Sequence, residues 1–165
     1  MMIFLDIDGV MVPTKSWKNP ELLNDGFPAF SSKATNILQN LISENTTIML
    51  TTSHKSRFTI DEWKEIFLKR GLQVTKLRSL DANVNHLNRM GEILNWFNSN
   101  IINEDFIIFD DDKSLNDLPS FLKAKLISTS TMIGLTDSHM EEIKLISDVE
   151  THSVNHIILF KRMVY

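Results

Sequence analysis

Two apolar runs in this chain end abruptly in carboxylates: Ile3-Phe4-Leu5-Asp6-Ile7-Asp8-Gly9-Val10 near its start, and Phe106-Ile107-Ile108-Phe109-Asp110-Asp111-Asp112 much later. Each reads as a buried strand that stops where chemistry can begin. On a strand, positions i and i+2 point to one face, so Asp6 and Asp8 crowd together unless a cation offsets their repulsion. Hard oxygen ligands of this kind suit Mg²⁺, which keeps several waters and takes one or two protein carboxylates plus substrate phosphate oxygens.

Between and after these runs the pattern alternates. Residues 13–30 carry Pro13, Asn19-Pro20, Asp25-Gly26 and Pro28, which rule out a long regular element and predict a flap with a short hairpin. Trp17, Phe27 and Phe30 are expected to anchor it to the domain or to offer a stacking surface. Ser31 or Ser32 caps a predicted helix running to about Glu44, with Ile37, Leu38, Leu41 and Ile42 at helical spacing. Thr47 to Ser53 is a second buried strand ending in hydroxyls. A helix over Ile60–Arg70 buries Trp63, Ile66 and Phe67, and Gly71 stops it. Leu72–Leu77 reads as a third strand and His86–Phe97 as an amphipathic helix, with Met90, Ile93, Leu94 and Phe97 inward. Leu115–Leu122 is a short helix broken at Pro119, and Lys125–Ser128 a fifth strand. Thr136 caps a helix to about Val149 whose apolar set is Met140, Ile143, Leu145 and Ile146. The tail Asn155–Tyr165 reads as an extra edge strand, with Lys161 and Arg162 discouraging further pairing.

Strands alternating with helices predict βαβ crossovers and an α/β fold: a mainly parallel five-stranded sheet with helices on both faces. Ligands in such sheets bind beyond the carboxyl ends of the strands, where strand order reverses. Asp6, Asp8, Thr52, Asp110 and Asp111 all fall at predicted strand ends. The chain has 165 residues, 42% of them hydrophobic and 23% charged, which predicts a single domain over 1–165. A net charge of -4 gives no support to tight duplex nucleic-acid binding. With no cysteine there is neither disulfide nor thiolate metal site. Asp6 and Asp8 interrupt any signal-peptide core, and no apolar run approaches a span of about 20 residues, so a cytoplasmic protein with no membrane association and no obligate protein partner is expected.

The chemistry that fits such a rim is phosphoryl transfer, which needs an in-line nucleophile, cations for the equatorial oxygens and an acid for the leaving alkoxide. Asp6 can attack to form an aspartyl-phosphate, and Asp8 can protonate the leaving group and then deprotonate water. Asp110 and Asp111 hold Mg²⁺. Thr52 and Ser53 can donate to a phosphoryl oxygen, Gly9 and Lys55 flank the substrate, and Arg89 supplies fixed positive charge. Asp112 and Asp117 read as surface or capping acids. His54 stands between a substrate contact and a surface residue. The other histidines, His86, His139, His152 and His156, show no metal-ligand spacing.

Asp6-Ile7-Asp8-Gly9-Val10, the Thr52-Ser53 strand end, a basic residue opening a following helix, and Phe109-Asp110-Asp111 resemble the four ordered motifs of the haloacid dehalogenase-like (HAD) phosphohydrolases. The resemblance implies a three-layer Rossmann-like sheet of order 5-4-1-2-3, a squiggle and flap after the first strand, and no large cap. It further implies Asp6 as nucleophile and Asp8 as acid/base, with Asp6, the Asp8 carbonyl and Asp111 ligating Mg²⁺ and Asp110 in support. Trp17, the run Arg89-x-x-Glu92-Ile93-x-x-Trp96 and Gly134-Leu135-Thr136 are similar to the small capless HAD domains of bacterial RNA-repair polypeptides. The third motif is usually lysine; here Arg89 stands nearest its place, with Lys55 and Lys76 as alternatives. His54-Lys55 replaces the aromatic-arginine pair of the repair subgroup. The expected substrate is a phosphorylated small molecule, such as a nucleotide, or a nucleic-acid end. A phosphoacceptor receiver domain also gathers acids at a sheet rim, but its acid pair and acceptor end its strands in a different order. The remaining alternative is a catalytically silent HAD-like binding or interaction module.

Overall fold

The expected strands form wherever an apolar run can be buried on both faces, which a parallel sheet requires. The computed structural model describes residues 1–14 and 19–148; Trp17 and the predicted tail strand lie outside the described residues. Strands β1 (Met2–Leu5), β2 (Thr47–Leu50), β3 (Lys76–Ser79), β4 (Phe106–Asp110) and β5 (Leu126–Ser128) pair in parallel in the order β3-β2-β1-β4-β5. This is the predicted 5-4-1-2-3 sheet. β1 lies at its centre, in register with Thr47–Leu50 on one side and Phe106–Phe109 on the other.

Alternation along β1 separates two cores. Ile3 and Leu5 pack with Ile48, Leu50, Ile107 and Phe109 under helices α1 (Ser32–Leu41), α2 (Ile60–Lys69) and α5 (Met140–Asp148). Met2 and Phe4 pack with Met49 and Ile108 under α3 (Arg89–Ser99) and α4 (Ser120–Lys123). The Phe4 ring meets Trp96 edge-on at 5.0 Å and stacks on Phe97 at 5.2 Å. Such aromatic pairs add about 0.5–1.5 kcal/mol beyond their burial. The result is a three-layer α/β arrangement, and no cap is inserted among the described residues.

Several predicted boundaries move for identifiable reasons. The third strand is Lys76–Ser79, not Leu72–Leu77. Leu72 and Val74 are buried, but the Leu72 amide still bonds back to Phe67, and pairing with β2 begins only at Lys76. The first helix stops at Leu41 because Ile42 turns extended and Thr46 closes the turn, its hydroxyl donating to the Leu41 carbonyl at 3.2 Å. Ser31 sits at the N-cap but makes no side-chain cap bond. The third helix begins at Arg89 rather than His86. Asn88 caps it by accepting from the Gly91 amide at 2.8 Å, and Asn83 ties up both backbone groups of Leu87. Residues 137–139 form a 3₁₀ turn before α5, and Leu145, placed inward by its spacing, is 66% exposed while Ile143 is buried.

The flap contains the expected hairpin, closed by a Leu22–Pro28 bridge with Gly26 at φ +73°. Its inner end is clamped. Arg70, buried at the end of α2, donates through Nη1 and Nη2 to both Asp25 oxygens at 2.8 and 3.1 Å. Its remaining donors reach the carbonyls of Pro28, Phe27 and Ile66. Phe27 is buried beneath it, so of the two roles open to that ring it takes the anchoring one.

Candidate active site

β1 runs to β2 and β3 on one side and the chain returns to β4 on the other, so the strand order reverses between β1 and β4. The two acid-bearing strand ends flank that crevice. The Asp6 amide donates to the Phe109 carbonyl at 3.0 Å, which sets Asp6 beside Asp110. The carboxylates of Asp6, Asp110 and Asp111 each present an oxygen within 4.8 Å of the others. Among the described residues no other His/Asp/Glu group offers three ligand atoms this close.

Asp6 and Asp110 are both buried. Burial raises the pKa of Asp6 well above the ordinary carboxylate value; the charge of Asp110 adds to the rise and Arg89 opposes it. Asp110 is raised likewise, first by burial, and is lowered again by Arg89 and by the Asp112 amide that donates to it at 3.0 Å. Two buried carboxylates held against each other form a site that a cation relieves. The all-oxygen donor set fits Mg²⁺.

Arg89 enters from the first turn of α3. Its Nη2 donates to Asp6 Oδ1 at 3.2 Å, and Nε lies 3.2 Å from Asp110 Oδ2, in ion-pair contact but out of line for a hydrogen bond. Nε and Nη1 are buried without a hydrogen-bond acceptor. The two lysines weighed for the same place go elsewhere. Lys55 donates to Glu92 at 2.6 Å in a buried pair joining the β2 loop to α3. Lys76 opens β3, in register with Thr47 and so at the opposite edge of the sheet.

Asp8 lies within a tight turn in which the amides of Val10, Met11 and Val12 all reach the Ile7 carbonyl. Its carboxylate is not one of the three clustered acids; Oδ2 lies 2.8 Å from His54 Nε2 instead. Thr52 is fully buried, and its hydroxyl accepts from the His54 amide at 3.3 Å, while Ser53 is exposed at the start of the next 3₁₀ turn. Gly9, at φ +74°, lies against Asp111: a Cβ there would fall 2.2 Å from Asp111 Oδ2. Thr131 donates to that same oxygen, and Thr129 donates to the Gly9 carbonyl at 2.7 Å. Asp112 caps the turn after β4, accepting from the Ser114 amide at 2.8 Å. At Gly134, φ +74°, a Cβ would meet the Val10 carbonyl at 2.6 Å, and Leu135 donates to that carbonyl, so the β5–α5 loop seats directly on the Asp-x-Asp turn.

Sequence reasoning singled out neither Thr131 nor Thr129, and it left His54 undecided. Only the position of His54 after the hydroxyl cluster hinted at a role, because each of these bonds joins segments far apart in the chain. No helix of the described residues is long and apolar enough to cross a membrane. Neither the curated proteins nor the solved structures contain a match to the chain. A family model does match: that of the HAD domain in Swiss Army Knife RNA repair proteins, over residues 2–140.

Proposed function

The chain belongs to the family of HAD domains in Swiss Army Knife RNA repair proteins, and from that premise we propose that it is a Mg²⁺-dependent phosphatase acting on a phosphomonoester through an aspartyl-phosphate on Asp6. The observation that carries this reading is the convergence of Asp6, Asp110, Asp111 and Arg89 at the point where the strand order reverses.

In the first step an Asp6 oxygen attacks phosphorus, the bond to the leaving oxygen breaks, and the Asp8 carboxyl delivers its proton to that oxygen. In the second, Asp8 takes a proton from water as the water oxygen attacks the aspartyl-phosphate. Inorganic phosphate leaves, and both aspartates return to their starting states. Arg89 orients Asp6, lies beside Asp110 through Nε, and offers Nη1, which has no hydrogen-bond acceptor, to a phosphoryl oxygen. The Thr52 hydroxyl accepts from His54, which leaves its own proton free for a phosphoryl oxygen. Ser53 flanks the same position. Lys55, engaged by Glu92, acts by holding α3 and thus Arg89 in place, in contrast to the substrate contact expected of it. Asp6, Asp111 and the Asp8 carbonyl, backed by Asp110, would hold Mg²⁺. When bound, the ion neutralises charge on the transferring phosphoryl group.

A rim without a cap admits large substrates as well as small ones, and the repair context of the family favours a nucleic-acid end. Turnover of 4-nitrophenyl phosphate with Mg²⁺ is expected for the wild type and should fall by orders of magnitude in Asp6→Asn. Equal rates in the two would remove Asp6 from the mechanism. Activity on phosphate-ended oligonucleotides but not on mononucleotides would assign the substrate to nucleic-acid ends. Failure on nucleotides, sugar phosphates and oligonucleotides alike would favour a silent binding module.

A further inference from the structure

Asp8 carries the proton in the reading above, yet its side chain is poorly restrained by its own neighbourhood. The backbone is fixed by the Ile7 turn and by a bridge between Asp8 and Val12. The carboxylate is 42% exposed, and among the described residues His54 is its one hydrogen-bond partner, Oδ2 to Nε2 at 2.8 Å. An exposed pair of this kind contributes little to stability, too little to account for its geometry as a fold-holding device. His54 itself is braced on two sides. Its amide donates to the Thr52 hydroxyl at 3.3 Å, and its ring stands edge-on to buried Phe27 with centroids 5.7 Å apart at 89°. Phe27 is in turn pinned through its carbonyl by Arg70. A rigid chain of contacts therefore runs from α2 through the flap to one oxygen of Asp8, leaving Oδ1 without a partner among the described residues.

We propose that His54 is a positioning residue for Asp8: by holding Oδ2 it fixes the carboxyl so that Oδ1 serves the leaving oxygen. This rests on the phosphatase reading and adds to it a residue and a directional consequence. Proton delivery matters most when the departing oxygen is a strongly basic alkoxide, and little when it is a stable phenolate. The contribution of His54 must therefore depend on the leaving group.

The test compares kcat/KM, which reports formation of the aspartyl-phosphate and not its hydrolysis, for β-glycerophosphate and 4-nitrophenyl phosphate. In His54→Ala we expect kcat/KM to fall roughly 10- to 100-fold on the alkyl ester and by less than about threefold on the aryl ester, part of what a general acid contributes. His54→Gln, whose side-chain N–H can stand in for Nε2, should recover most of the alkyl rate. In an Asp8→Asn background, His54→Ala should cost nothing further on the alkyl ester, the signature of two residues acting as one unit. Equal losses on both esters, no rescue by glutamine, or an undiminished effect without Asp8 would each overturn the proposal while leaving the phosphatase reading intact. A wild type inactive on both esters and on nucleotides, sugar phosphates and phosphate-ended oligonucleotides alike would overturn the two together.

Discussion

Gly9 places a residue-sized constraint on the acidic cluster. A methyl group there would collide with the Asp111 carboxylate, and φ +74° is costly for any side chain. Gly9→Ala should push Asp111 off the cluster. We expect Mg²⁺ affinity, read by calorimetric titration, to weaken about tenfold or more, the scale seen when the support of a ligand is lost. Thermal stability in chelator should drop by only a few degrees; unchanged affinity would remove Asp111 from the metal site. At this scale the sequence is readable where chemistry is written in short words. Asp6, Asp110 and Asp111 each end an apolar run, and Arg89 opens a helix. The bonds of His54 and Thr131 to Asp8 and Asp111 span 46 and 20 positions, so Thr131 was unreadable and His54 was marked only by its place after the hydroxyl cluster, not by its partner.

Among the elements, the flap hairpin is clamped to the domain by one charged side chain, Arg70. All of Arg70's contacts described above are lost in Arg70→Met, which removes the guanidinium donor from Asp25 and from the carbonyls of Pro28, Phe27 and Ile66. Breaking a buried pair from one side costs about 3 kcal/mol or more, roughly 6–12 °C in melting temperature at this chain length. A loss under about 2 °C would show that the clamp is dispensable. Arg70 also holds Asp25 at about 2, mainly by hydrogen bonding. Since that folded value lies below the ordinary one, the clamp's contribution is complete above pH 4 and is lost as pH falls through about 2. The hairpin was legible from Asp25-Gly26 and its prolines. The clamp was not, because an arginine closing a helix looks like a solvated residue. β3 misled in the opposite way: Leu72 and Val74 alternate like a strand but pack a connecting segment into the core.

Taken as a whole, the molecule gathers buried negative charge where its sheet divides. Asp6 and Asp110 both titrate above their unfolded values, so without metal they stabilise the fold at low pH and destabilise it as pH rises from about 4 into the neutral range. In chelator, melting temperature should therefore decline across that window. Mg²⁺ binds the ionised form, and at a hundred times its Kd adds about 2.7 kcal/mol. The gap between the Mg²⁺ and chelator curves should widen from pH 5 to pH 8, and coincident curves would exclude a metal at this cluster. The parallel sheet was legible from the alternation of strands and helices, whereas its order, β3-β2-β1-β4-β5, was what the resemblance to the HAD phosphohydrolases implied.

β1 is the central strand, yet one of its two neighbours is β4. During synthesis the chain makes β1 first and β4 only after some hundred further residues, roughly 5–20 s later at cellular rates. Through that interval a strand destined for burial on both faces can pair along one edge at most, to β2. The nascent chain is thus most prone to aggregate before the second pair of acids has left the ribosome, and those acids emerge with the strand that ends the exposure.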